Sequence, residues 1–182
     1  MLTGAVQGGA SLTVPMSFAE YEALGETQHA AYYDELLHVN PPTRRHVQVA
    51  RRLTRLLEDA APSRYEVLPE AGWAVAAQVI LVPDIMVARK DAPGLDVLHE
   101  APLLVVEVSS RSTRGEDWGR KRELYAQGGA GWYWLVDPDT EDITVLENAG
   151  GAFDERARLT GGGPHLISSP FKIRFDADAL FA

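Results

Sequence analysis

The run Leu103-Leu104-Val105-Val106-Glu107-Val108-Ser109-Ser110 decides the fold, together with the segment from Arg114 to Gln127 that follows it. A short apolar run rich in Val and Leu is typical of a strand buried on both faces of a sheet. Glu107 lies inside this run, where a carboxylate loses its hydration and requires a cation, hydrogen bonds or protonation. Glu107 is therefore the first candidate functional residue.

A second acidic residue, Asp84, interrupts an apolar stretch that runs from Gln78 to Ala88. Pro83 precedes it and cannot donate a ladder hydrogen bond, so the strand has an end, a bulge or an edge there. If the strands that carry Asp84 and Glu107 are neighbours, the two carboxylates can converge on a hard divalent cation such as Mg²⁺, which prefers oxygen ligands. We expect the two carboxylates to be close enough to share one cation.

The segment from Arg114 to Gln127 is predicted to form one helix. Thr113 and Glu116 have the spacing of a capping box, and Gly128-Gly129 marks the end of the helix.

Lys121 lies on the same face of this helix as Trp118 and Tyr125. A lysine among aromatic residues suggests an ammonium that points back at the strand of Glu107. The alternative is a lysine whose stem covers the aromatic rings and whose ammonium reaches water.

Several short sequence pieces follow one another in a distinctive order: Pro83-Asp84, Glu107-Val108-Ser109, Lys121, Tyr125 and Gly131-Trp132-Tyr133-Trp134-Leu135-Val136-Asp137-Pro138. Their order and spacing resemble the restriction-endonuclease-like family of the PD-(D/E)XK nuclease superfamily, from roughly Met16 to the C-terminus. The resemblance implies an α/β (α+β) fold with a restriction-endonuclease-like core, in which helices flank a mixed central β-sheet.

The resemblance also implies a metal-dependent endonuclease that hydrolyses phosphodiester bonds of DNA with Mg²⁺ or Mn²⁺. Asp84, Glu107 and Lys121 match the catalytic positions, and Asp84, Glu107 and the carbonyl of Val108 match the metal ligands. The superfamily pattern places a lysine two residues after the glutamate, where this chain has Ser109. In the resembling family the lysine lies in the following helix, as Lys121 does.

Ser109, Asp117 and His46 are candidates for supporting the site or binding substrate. His46 lies on the apolar side of a predicted helix, where a histidine is most often a core or capping residue. The early acids Asp34 and Glu35 stand where the resembling family has an Asp-Gly turn, so a role in the site is open for them.

Apolar periodicity and turn residues predict the remaining elements. The expected elements are a helix over 18–24 opened by a Ser17–Glu20 capping box, a strand over 32–39, a helix over 43–59 that buries Val47, Ala50, Leu53 and Leu57, a meander of strands over 64–68, 72–76 and 78–88, and strands over 131–136 and 143–146.

Length and composition suit one globular domain over residues 15–182, preceded by a loose Gly- and Ala-rich tail over 1–14. The net charge of -9 argues against a protein that wraps nucleic acid by bulk attraction. The sequence has no cysteine, no signal-peptide pattern and no apolar run long enough to span a bilayer, which favours a cytoplasmic protein that does not enter membranes.

Two other functional readings remain open beside the nuclease. A nuclease-fold module that has become a binding or interaction protein fits the acidic charge and the missing motif lysine. A nucleotide-binding domain fits less well, because Gly161-Gly162-Gly163 lacks the lysine and hydroxyl of a phosphate-binding loop.

A homodimer is also expected. The segment from Phe171 to Phe181 is apolar enough to offer a patch that a small monomer need not expose, and members of the resembling family are often dimers.

Overall fold

A computed structural model of the protein describes residues 11–25, 30–94 and 96–182. Five helices lie in this part of the chain: α1 (Phe18–Ala23), α2 (Arg44–Ala60), α3 (Arg114–Trp118), α4 (Arg120–Gln127) and α5 (Ala177–Phe181). The strands there are β1 (Leu12–Pro15), β2 (Ala31–Tyr33), β3 (Leu36–Val39), β4 (Tyr65–Pro69), β5 (Gly72–Ala76), β6 (Val79–Leu81), β7 (Ile85–Arg89), β8 (Val97–Leu98), β9 (Leu104–Val108), β10 (Trp132–Asp137), β11 (Asp142–Asn148), β12 (Phe153–Leu159), β13 (Pro164–Ile167) and β14 (Ile173–Asp176).

The central sheet has six strands in the order β12-β11-β10-β9-β7-β4. β9 and β10 are parallel, and the connection between them carries α3 and α4, as parallel neighbours require. The other neighbouring pairs of this sheet are antiparallel. A mixed central sheet flanked by helices confirms the predicted fold class.

The two faces of β9 point into two separate hydrophobic cores. Val106 packs in the core that contains Leu53 of α2, whereas Val105 packs in the core that contains Leu124 of α4. Burial on both faces explains why the strand is almost continuously apolar. Glu107 lies two residues after Val105 and therefore shares the face of the sheet that α4 covers.

α2 packs against the central sheet through one row of side chains. Leu53 and Leu57 are buried as predicted, and the row continues to Val49. The prediction for Val47 was wrong, because this side chain is 47% exposed. Each side chain of this row stabilises the fold by about 1.5–3 kcal/mol when fully buried.

The predicted strand over 32–39 is a hairpin, so that prediction was wrong. Asp34 and Glu35 have φ values of 53° and 58°, the left-handed conformation that a two-residue turn between twisted strands requires. Tyr33 lies opposite Leu36 in the β2–β3 pair. The hairpin was hard to predict because its turn contains no glycine.

The predicted strand over 78–88 is divided at Pro83 between two sheets. β6 belongs to a second six-stranded sheet, in the order β1-β3-β2-β6-β5-β8, whereas β7 belongs to the central sheet. The predicted meander is confirmed for β5 and β6, which pair antiparallel, but it was wrong for β4, which pairs with β7 in the central sheet. Asp84 lies at the point where the chain crosses from one sheet to the other.

The predicted helix over 114–127 is broken at Gly119 into α3 and α4. The predicted capping box is absent, because the Thr113 hydroxyl accepts a hydrogen bond from the N–H of Ser110 and caps no residue of α3. In contrast, the predicted capping box of α1 between Ser17 and Glu20 is confirmed.

Both ends of the described chain differ from the predictions. β1 begins at Leu12 and pairs with β3, so order starts before Pro15, while residues 1–10 of the predicted tail lie outside the described residues. Phe171, Phe175 and Phe181 belong to the core beside α2, so the segment over 171–181 does not form the exposed patch that was expected. Within the described chain, no helix combines the length and the apolar character needed to cross a bilayer.

Candidate active site

Asp84 and Glu107 come together because β7 and β9 are antiparallel neighbours. Ile85 lies opposite Val106, which places the preceding Asp84 beside the following Glu107. The N–H of Val108 donates to Oδ2 of Asp84 at 2.7 Å and fixes this carboxylate against the end of β9. The predicted neighbourhood of the two strands is therefore confirmed.

Glu107 is 3% exposed and is held by two donors from α4. The ammonium of Lys121 lies 3.1 Å from Oε1, and the hydroxyl of Tyr125 donates to the same oxygen at 2.6 Å. Lys121 is itself only 7% exposed. The ammonium therefore points at Glu107, and the alternative of a lysine that reaches into water was wrong.

Asp117 links Lys121 to Ser109. Its Oδ1 accepts from the Lys121 ammonium at 2.9 Å, and its Oδ2 accepts from the Ser109 hydroxyl at 3.0 Å. The hydroxyl of Tyr133 donates to the backbone carbonyl of Asp117 at 2.9 Å. Ser109 stands where the family resemblance would place a lysine. Its hydroxyl thus supports the carboxylate of Asp117, which in turn holds Lys121.

His46 contacts the other side of Asp84. It lies in the first turn of α2, and its Nε2 is 3.0 Å from Oδ1 of Asp84. Burial lowers the pKa of this imidazole, but the hydrogen bond and the charge of Asp84 outweigh burial and raise the pKa above its ordinary value.

Burial and charge act differently on the two strand acids. Burial raises the pKa of Glu107 well above its ordinary value, and the neighbouring carboxylates of Asp84 and Asp117 add to this, although Lys121 opposes it. For Asp84, burial raises the pKa, but the hydrogen bond and charge of His46, together with the charge of Lys121 and the N–H of Val108, outweigh burial and lower the pKa. Glu107 is thus the acid of the pair that holds a proton more readily.

Lys121 remains a cation in this environment. Burial alone lowers the pKa of an ammonium, but the charges of Glu107, Asp117 and Asp84 outweigh burial and raise the pKa of Lys121 above its ordinary value. A lysine held in this way donates hydrogen bonds and supplies positive charge, and it is poorly suited to accept a proton.

These side chains open onto one cavity of about 290 Å³, lined by Asp84, Glu107, Val108, Lys121 and His46 together with residues of the hairpin and of nearby loops. Sequence reasoning missed the part of Tyr125 as a donor to Glu107, and it missed His38, whose ring stacks on Tyr33 at 3.7 Å and lines the cavity. β3 was not recognised from the sequence. The alternation of its side chains between the two faces of the sheet was the signal that could have placed His38 at the cavity.

The early acids Asp34 and Glu35 lie outside the lining of this cavity. Asp34 accepts two hydrogen bonds from Arg120, at 2.8 and 2.6 Å, which lower the pKa of its carboxyl. Asp34 therefore ties the hairpin to the start of α4.

Comparisons with known proteins bear on the family and the fold of this chain. A family model named Uma2 and described as "Putative restriction endonuclease" matches residues 18–176. The chain belongs to the Uma2 family. No match is found among the curated proteins.

Among solved structures, this Uma2 chain is similar to the crystal structure of "a putative nuclease belonging to DUF820" from Anabaena variabilis. The TM-score is 0.73 at 17% sequence identity, over 92% of this chain and 98% of the other. At this identity the similarity concerns the fold, and it agrees with the predicted restriction-endonuclease-like core.

The donor set of this Uma2 site suits a hard divalent cation. Asp84, Glu107 and the carbonyl of Val108 are oxygen ligands, the type that Mg²⁺ and Mn²⁺ prefer. Burial and the negative charges of Asp84 and Asp117 raise the pKa of Glu107, and a cation at this point would offset that negative charge. Within the described ranges, no three His, Asp or Glu side chains are grouped to hold a metal, so water or substrate oxygens would complete the ligand set.

Proposed function

We propose that this Uma2 protein is a metal-dependent endonuclease that hydrolyses phosphodiester bonds of DNA. The observation that carries the proposal is the meeting of Asp84 and Glu107 from neighbouring strands in one cavity, with the buried ammonium of Lys121 against Glu107. Family membership supports the same class of reaction.

Asp84, Glu107 and the carbonyl of Val108 are the proposed ligands of Mg²⁺ or Mn²⁺. When bound, such a cation polarises a phosphoryl oxygen and makes a water molecule more acidic. Glu107 lies in β9, and Asp84 directly precedes β7 and is held by the N–H of Val108, so their relative position is fixed before a ligand arrives.

Lys121 is the proposed catalytic cation. Because its pKa is raised, the ammonium keeps its proton and can stabilise negative charge that develops on the phosphate or orient the attacking water. Asp117 and Tyr125 are positioning residues, since they hold Lys121 and Glu107 respectively. Ser109 acts one step further away, through Asp117.

We propose that His46 contacts both the substrate and Asp84, which is a proposed metal ligand. Its Nε2 holds Oδ1 of Asp84 and its ring lines the cavity with a raised pKa, so the other ring nitrogen, Nδ1, is the proposed donor to a phosphate oxygen.

A binding module without hydrolytic activity is the second candidate. It is favoured by the fact that both oxygens of Asp84 already have partners, the N–H of Val108 and the ring of His46. In this reading the acids serve the fold alone.

With either function, we propose a homodimer in the cytoplasm.

Cleavage and metal binding measured on the same variants decide between the two functions. Asp84→Asn and Glu107→Gln keep side-chain shape, while Asp59→Asn removes an exposed acid of α2 as the matched control. The nuclease is expected to cut DNA only with Mg²⁺ or Mn²⁺ and to gain thermal stability from these ions. Asp84→Asn and Glu107→Gln should lose both properties, and Asp59→Asn should keep both. A parent protein that neither binds these ions nor cuts DNA would favour the binding module.

A further inference from the structure

A second groove, of about 360 Å³, runs along α2 from the catalytic cavity. His46 and Asp84 line both spaces, so the groove begins at the proposed metal ligand. Val47, Ala50, Arg51 and Arg55 of α2 line one wall of the groove, and Pro69 lies on the other. A molecule whose reacting group lies at Asp84 can therefore continue along α2.

Arg51 and Arg55 give this groove a positive side. They are exposed and lie one helical turn apart, with about 5–6 Å expected between their Cβ atoms. Within the described chain, neither guanidinium has an ion pair or a hydrogen bond, whereas Arg45 pairs with Glu141 and Arg120 pairs with Asp34. Two free arginines beside the site contrast with a net charge of -9 for the whole chain.

Both walls of the groove also carry apolar side chains. Val47 is 47% exposed, and exposure of an apolar side chain to water is unfavourable. Ala50 and Pro69 extend the same apolar surface. Apolar surface beside free guanidinium groups suits a polymer that has both phosphates and sugar or base surfaces, and it suits a free inorganic anion less well.

We infer that this groove holds the DNA strand on one side of the scissile phosphate, with Arg51 and Arg55 bound to its phosphates. The inference rests on the proposed nuclease function and adds the track, meaning the part of the surface along which this nuclease binds DNA. Val47 packs against the sugars, and the strand runs from Asp84 towards the C-terminal end of α2.

The carboxylates of the groove set the length of this track. Glu58 lies one turn beyond Arg55 and repels a further phosphate, so the track on α2 ends after the second arginine. Glu70 faces α2 from the other wall, beside Asp84, and repels phosphates there. The wall that carries the two arginines is therefore the favourable one for the phosphates.

The test compares two double variants that remove the same charge. R51A/R55A changes the groove, and alanine is the best helix former, so α2 should remain folded. K172A/R174A is the matched control, because Lys172 and Arg174 are exposed, lie outside both spaces and have no ion pair within the described chain. Circular dichroism and the melting temperature check that each variant is folded.

Binding of a fluorescent DNA duplex is measured by anisotropy without divalent metal, over a range of salt concentrations. R51A/R55A should bind on the order of tenfold more weakly, and the slope of log K against log salt should fall by about 2, one for each lost phosphate contact. Phosphate ethylation should interfere with parent binding at neighbouring positions on one side of the cleavage point, and this interference should be absent in R51A/R55A.

Three results overturn the inference: parent-like binding by R51A/R55A, an equal loss in K172A/R174A, or a parent that binds no DNA. The outcome is separable from that of the proposed function. A parent that binds DNA without cutting it in Mg²⁺ or Mn²⁺ removes the nuclease function, while the comparison of the two double variants still decides the groove. A parent that cuts DNA while R51A/R55A binds normally removes the groove alone.

Discussion

Glu107 is the residue of the site at which burial and repulsion between negative charges act together. It shares a buried region with the carboxylates of Asp84 and Asp117, and Lys121 is the ammonium that serves this group. Burial and the neighbouring negative charges together raise the pKa of Glu107. A proton or a metal ion can relieve the same excess of charge, so the two compete for this residue.

This competition predicts a pH dependence of metal binding. A carboxyl whose pKa is higher in the folded protein than its ordinary 4.5 binds more protons folded than unfolded, so metal-free stability falls as pH rises from 4.5 through the raised value. A divalent cation favours the ionised carboxylate, so the melting-temperature increase from Mg²⁺ or Mn²⁺ should grow with pH over this interval. Thermal unfolding with and without metal measures it.

Glu107→Gln is the control for this dependence. The variant cannot ionise at this position and is expected to lose metal binding, so it should show no melting-temperature increase from Mg²⁺ or Mn²⁺ at any pH, and its metal-free stability should lose the pH dependence that Glu107 contributes. A melting-temperature increase in the parent that stays constant from acidic to neutral pH would contradict the explanation.

Lys121→Ala should separate catalysis from metal binding. The carboxylates supply the ligands, so metal affinity should remain nearly intact, while hydrolysis should fall on the order of 10²-fold or more because a charge-stabilising group is lost. Metal-free stability should fall by about 3–5 kcal/mol, since Glu107 and Asp117 lose their buried partner. Metal titration, initial rates and urea unfolding measure the three quantities.

Lys90→Ala, which removes an exposed lysine, should change none of these quantities. If Lys121→Ala cuts DNA as fast as the parent, Lys121 has a structural role only.

At the scale of residues, the sequence identified the acids more readily than their partners. Asp84 and Glu107 stand out because a carboxylate in an apolar strand needs an explanation. The bonds from Tyr125 to Glu107 and from Ser109 to Asp117 depend on how α4 is oriented against β9. Helical spacing placed Tyr125 and Lys121 on one face, but it could not show which strand residue that face would meet.

At the scale of elements, the break at Gly119 sets the position of α4. Gly119 has φ -103° and ψ -106°, and a Cβ at this residue would lie 2.8 Å from the carbonyl oxygen of Gly115. Because that oxygen belongs to the backbone, the start of α4 would have to shift, and Lys121 lies in its first turn.

Gly119→Ala should therefore destabilise the protein by about 1–3 kcal/mol, the usual cost of overpacking. It should also lower the hydrolysis rate by displacing Lys121. Gly115→Ala is the matched control, because a Cβ there meets no atom within 4 Å, and it should stabilise α3 by about 0.5–1 kcal/mol. Urea unfolding of both variants measures the difference, and equal stability of the two would contradict the role given to the break.

Elements with strong periodicity were predictable, and breaks between them were not. α2 and the alternation of Trp134 with Tyr133 between two cores follow directly from apolar spacing. The hairpin at Asp34-Glu35 lacks the glycine that signals such a turn. Pro83 indicated an interruption, but local sequence cannot distinguish a bulge within one sheet from a passage between two sheets.

At the scale of the whole molecule, the oligomeric state is the open prediction. Phe171, Phe175 and Phe181 cover the core of their own chain, so the dimer is now expected from the family resemblance alone. Light scattering should give a mass of twice 19.9 kDa over a range of concentrations. A monomer mass at every concentration would contradict it.

Composition predicted the overall class of the molecule, but it could not predict how charge is distributed over the surface. A net charge of -9 argued against bulk attraction to nucleic acid, while Arg51 and Arg55, which have no ion-pair partner among the described residues, lie side by side along one groove. Whether an arginine is free or paired depends on carboxylates from distant segments, as with Arg120 and Asp34 in the hairpin. Such partners become neighbours only in the folded chain.

The parallel pairing of β9 with β10 has a consequence for synthesis on the ribosome. Glu107 emerges before Lys121 and Tyr125, and its neighbour across the sheet, Leu135, emerges later still. A nascent chain that stops short of β10 thus already contains Asp84, Glu107 and Lys121, but it lacks the strand that pairs with β9. Because β9 has no parallel neighbour until β10 is made, we expect the proposed cleavage of DNA to begin only after translation has passed β10, and a product truncated before it to be inactive.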